Sequence, residues 1–83
     1  MTDPKILAID YAPGVAGQVS YTATVQYDDE PAERVTFVGS VYGGPVVMIS
    51  PNGTQTLVSL AVRVRCGSTF DRVWVERFFG QED

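Results

Sequence analysis

Histidine is absent from the 83-residue sequence, and with it go the commonest general base and the usual imidazole metal ligand. No Ser-His-Asp or Cys-His constellation can be assembled. Cys66 is the only cysteine, so there is no intrachain disulfide, no Cys-x-x-Cys pair for redox exchange and no thiolate pair for zinc. Lysine occurs once, at Lys5, and the formal net charge is −4. That balance excludes a polybasic membrane patch. It also argues against phosphate-driven binding to DNA or RNA, where Lys and Arg must displace counterions. No apolar run reaches bilayer-spanning length, and Met1–Lys5 lacks both the basic and the apolar stretch of an export signal. The expected setting is a reducing, cytoplasm-like compartment, with neither nucleic acid nor membrane among the partners.

Two further features fall short of a site. Gly14-Val15-Ala16-Gly17 has neither the lysine nor the continuing helix of a phosphate-binding loop. Asp28, Asp29, Glu30 and Glu33 offer carboxylates, but Pro31 interrupts them and the spacing matches no calcium loop. They read as a solvated hairpin tip. No catalytic set, metal site or cofactor is expected.

What is present is β-pattern. Apolar residues make up 45% of the chain and charged residues 19%, which suits one folded domain over residues 1–83 and not a disordered segment. Val19, Tyr21, Ala23, Val25 and Tyr27 alternate with Ser20, Thr22, Thr24 and Gln26, the period of a strand with one wet face. A second alternation places Val58, Leu60, Val62, Val64 and Cys66 opposite Ser59, Ala61, Arg63 and Arg65, and predicts a strand from Thr56 to Cys66. Further strands are expected over Lys5 to Tyr11, Arg34 to Tyr42 and Val46 to Ser50. Gly43-Gly44 and Asn52-Gly53 read as hairpin turns. Short connections then imply a mostly antiparallel, all-β meander of five or six strands, forming a small sandwich or partly open barrel.

The C-terminal segment admits two readings. As a strand, Arg72 to Phe79 sets Val73, Val75 and Phe79 against Trp74, Glu76 and Phe78. As a short helix it takes Ser68 as N-cap, Asp71 as capping-box partner and Gly80 as its stop. β-Propensity and loop length favour the strand.

With catalysis unsupported, binding is the expected function. Trp74 and Phe78, interleaved with Arg72 and Arg77, have the residue types of an interface hot spot. Arg63 and Arg65, on one strand face, could grip a carboxylate or phosphate, or pair with an acid such as Glu76. The leading expectation is a small protein-binding module acting through this aromatic surface or an exposed edge strand, in the manner of an accessory or inhibitor-type protein of a phage or mobile element. The alternative is a structural subunit that buries the same face in a homo-oligomer.

Overall fold

The computed structural model describes residues 3–80. Five strands, β1 (Lys5–Pro13), β2 (Gln18–Gln26), β3 (Glu33–Ser40), β4 (Val47–Ile49) and β5 (Gln55–Leu57), form one antiparallel sheet in the order β1-β2-β3-β4-β5. Two one-turn-plus helices follow, α1 (Leu60–Cys66) and α2 (Arg72–Phe78). The expected meander is present. It stays a single open sheet, and the helices cover one of its faces.

The pleat decides which side chains face the helices. Val19, Ala23 and Val25 of β2 and Val35 and Phe37 of β3 are buried, and alternate with the polar row Ser20, Thr22, Thr24, Thr36. In β1 a bulge at Leu7 shifts the register between Ile6↔Val25 and Ala8↔Thr24. The extra residue lets Ile6 and Ile9, three apart, both pack on the core.

The predicted strand from Thr56 to Cys66 is corrected. The strand ends at Leu57, and residues 60–66 are helical. Ser59 caps α1: its side chain accepts from the Val62 N–H at 3.3 Å. Gly67, at φ 110°, closes the other end, its N–H donating to the Arg63 carbonyl at 3.0 Å. Residues i and i+4 share a face in a strand and in a helix alike. Val62 and Cys66 therefore point inward under either reading. Leu60 and Val64, expected inside, are 65% and 72% exposed.

The strand reading of Arg72 to Phe79 is corrected likewise. The helix starts at Asp71, whose carboxylate accepts from the Trp74 N–H at 3.0 Å, and not at Ser68. Phe70 is the reason: it is 7% exposed and docked on Gly39 of β3, so the chain cannot enter a helix until it has passed. Gly80, at φ 83°, ends the helix as the capped reading expected.

The turns also differ in detail. The β3–β4 turn is centred on Val41-Tyr42, closed by the Gly43 N–H to the Ser40 carbonyl at 3.1 Å, and not on Gly43-Gly44. At the β4–β5 hairpin the Gly53 N–H reaches the Ser50 carbonyl at 2.9 Å. Pro51-Asn52 are therefore the central pair, and Gly53 supplies the left-handed residue at φ 90°.

The helices close the core with aromatic rings. Phe37, at the centre, lies 4.8 Å from Phe78 and 5.8 Å from Trp74 and from Phe79, all at steep angles. Phe70 links Trp74, at 5.1 Å, to Tyr21, at 5.2 Å.

Candidate functional site

Trp74 is 2% exposed and Phe78 is partly buried against the same cluster. The expected aromatic surface is thus the inner side of α2. That expectation rested on a strand, in which Trp74 and Phe78 would face away from Val73 and Val75. A helix turns all but Val73 toward the sheet.

The four arginines do not form one patch. Arg72 Nε meets Glu76 Oε2 at 3.3 Å along α2, so Glu76 is taken by its own helix and not by Arg63 or Arg65. Arg77 Nη1 donates to the Cys66 carbonyl at 3.2 Å and ties α2 to the end of α1. Arg63 and Arg65, two apart on a helix, diverge by about 200°. Arg65 borders a hollow with Tyr27 and Phe78, whereas Arg63 lines a cavity on the other side of α1. The shared anion grip expected of a strand pair is not formed.

That second cavity is about 260 Å³ in volume. α1 contributes Leu60, Arg63 and Val64; the β3–β4 loop contributes Gly43, Gly44 and Val46; Phe70 and Trp74 reach it from behind. The loop is pinned to the helix by one bond, Arg63 Nη1 to the Gly44 carbonyl at 2.9 Å. Arg63 Nε is shielded from solvent and has no hydrogen-bond partner among the described residues. The sequence pattern assigns Leu60 and Val64 to the core and Gly43-Gly44 to a turn, not to a site. The signal was available: Ser59 and Gly67 bracket seven residues as caps, and on a helix Leu60 and Val64 fall together, away from Val62 and Cys66.

Other candidates offer less. Cys66 is 1% exposed, and burial pushes its thiol pKa up although the Arg65 and Arg77 guanidiniums pull it down. Asp28, at φ 48°, and Asp29 form the tight turn after β2, closed by the Glu30 N–H to the Tyr27 carbonyl at 2.9 Å. Among the described residues no group of three or more Asp, Glu or Cys side chains converges on a metal-sized site. β1 and β5 are the sheet edges; β1 is nine residues long but carries the Leu7 bulge, and β5 has three. No helix among the described residues is long and apolar enough to cross a membrane. The chain matches no protein family, and no curated protein or solved structure is similar enough to it to show a relationship.

Proposed function

We propose that this chain is a small binding module, acting without catalysis, that seats a segment of a protein partner in the cavity between α1 and the β3–β4 loop. The observation that carries this reading is the position of Leu60 and Val64. Two large aliphatic side chains, 65% and 72% exposed, stand at the rim of a cavity backed by Phe70 and Trp74. Exposed aliphatics beside a preformed concavity are the arrangement in which a partner's side chain gains burial at little ordering cost. The absence of histidine and the burial of Cys66 support binding over chemistry.

The test is selection of a random displayed peptide library on the immobilised chain, repeated with Val64→Asp. Peptides enriched by the parent and lost by a variant with an unchanged melting curve support the reading. Enrichment that survives Val64→Asp moves the surface elsewhere and defeats it.

A second reading, self-association, is favoured by the uncovered sheet face. The register places Val38, Val47, Ile49 and Leu57 on the side away from the helices, because Phe37↔Met48 faces the core. A dimer mass by light scattering that Leu57→Asp abolishes would support this reading; a monomer mass across a wide concentration range would remove it.

A further inference from the structure

The Arg63 cavity combines three features that together define a ligand chemistry. Its side-chain lining is apolar apart from Arg63 and two serines, and contains no acid, in a chain whose net charge is −4. Its one cation has no acidic partner among the described residues. The guanidinium is oriented by the Gly44 carbonyl through Nη1, and its Nε is packed out of reach of solvent, which leaves Nη2 as the nitrogen free to donate to a ligand. A guanidinium N–H at the wall of an apolar cavity makes its strongest hydrogen bond to an anionic oxygen, and a carboxylate supplies one.

We infer that the cavity takes a short aliphatic chain ending in a carboxylate, the carboxylate on Arg63 and the chain against Val46, Leu60 and Val64. This rests on the reading of the cavity as the binding surface and names what it recognises. The carboxylate is the C-terminus of a partner ending in an aliphatic residue. A volume of about 260 Å³ lies just below the range of roughly 300–1,000 Å³ that holds drug-sized ligands. One side chain fits; a nucleotide does not. The bare backbone of Gly43 and Gly44, where a Cβ would stand in open space, lets a ligand approach closely.

The experiment is an amide-resolved NMR titration of the full chain with hexanoate and with hexanamide, which differ in charge and hardly in shape. Saturable shifts of Gly43, Gly44, Gly67 and the Trp74 indole are expected with hexanoate, and binding on the order of tenfold weaker with hexanamide. Arg63→Gln should remove that preference and Arg65→Gln should leave it. Equal binding of acid and amide overturns the carboxylate inference while the binding reading survives. No saturable shift from either compound, or from a peptide ending in Val-Leu with a free carboxylate, overturns the inference, and the library selection then decides the binding reading separately. Equal loss with Arg65→Gln overturns the inference as a net-charge effect. Because the acid–amide comparison uses the parent chain, it stands even if Arg63→Gln unfolds. A Val-Leu peptide that binds more tightly than hexanoate supports a C-terminus as the source; hexanoate that binds as tightly as the peptide or more overturns that source in favour of a free acid.

Discussion

The ring of Phe70 occupies the space that a side chain at position 39 would need. A methyl carbon on Gly39 would lie 2.9 Å from Phe70 Cδ2 and 3.2 Å from Val46 Cγ2. Gly39 therefore sets how closely the α1–α2 connection can approach β3. Replacing glycine within a strand by alanine normally gains about 0.5–1 kcal/mol in backbone entropy. Overpacking against a ring and a β-branched neighbour costs about 1–3 kcal/mol. Gly39→Ala is expected to be net destabilising, read as a lower urea midpoint. A midpoint equal to or above the parent's would mean that the ring does not rest there.

Trp74 separates a core role from a surface role. It is 2% exposed and touches Phe37, Phe70 and Phe78 by ring contacts, so Trp74→Ala should cost about 3–5 kcal/mol. At the low end of the roughly 5–15 kcal/mol typical of whole domains, such a loss leaves little cooperative unfolding to observe. Arg72→Ala, on the same helix with a side chain 66% exposed, should move stability by no more than about 0.5 kcal/mol. Chemical denaturation followed by circular dichroism compares the two. Similar small effects for both would return Trp74 to the surface.

Ser59 tests the region where sequence and structure diverge. As the N-cap of α1 it satisfies the Val62 N–H, so Ser59→Ala should lower stability by about 1 kcal/mol, with Ser59→Asp retaining most of it. In a continuous strand from Thr56 to Cys66 the same hydroxyl would have no such partner, and the alanine variant would be neutral. The urea midpoint of the three proteins, measured together, distinguishes these outcomes.

The divergence has a physical source. Val19 to Tyr27 is legible because nine alternating residues, with threonines on the wet side, satisfy no helical stripe. Leu60 to Cys66 alternates too, but its i, i+4 pairs, Leu60 with Val64 and Val62 with Cys66, share a face in a helix as they do in a strand. What separates them is the pair of ends, Ser59 and Gly67, and local capping outweighed β-propensity there. The same error displaced the candidate site. Once α1 and α2 are helices, Trp74 turns inward, Arg63 and Arg65 part company, and Leu60 and Val64 come to the surface. The cavity also depends on the β3–β4 loop meeting α1 across 19 positions of chain, through Gly44 and Arg63, a contact no local pattern encodes.

Burial also sets how the fold responds to alkali. The Cys66 thiol is pushed above its ordinary value of 9.0, and the Tyr21 and Tyr27 hydroxyls above 10.0, chiefly because packing disfavours their charged forms. Each group holds its proton more tightly folded than unfolded. By linkage, the stabilisation is complete below the unfolded pKa and is lost as pH rises through the folded one. Stability should therefore start to fall near pH 9 as the unfolded thiol begins to ionise, and fall more steeply once the tyrosines follow. Cys66→Ala removes the first of these contributions, so its urea midpoint should change less between pH 8 and 10 than the parent's, whatever its absolute value. The tyrosine component beyond pH 10 should persist in that variant. Identical pH profiles for parent and Cys66→Ala below pH 10 would show that the thiol ionises as readily folded as unfolded, and would contradict its burial in the core.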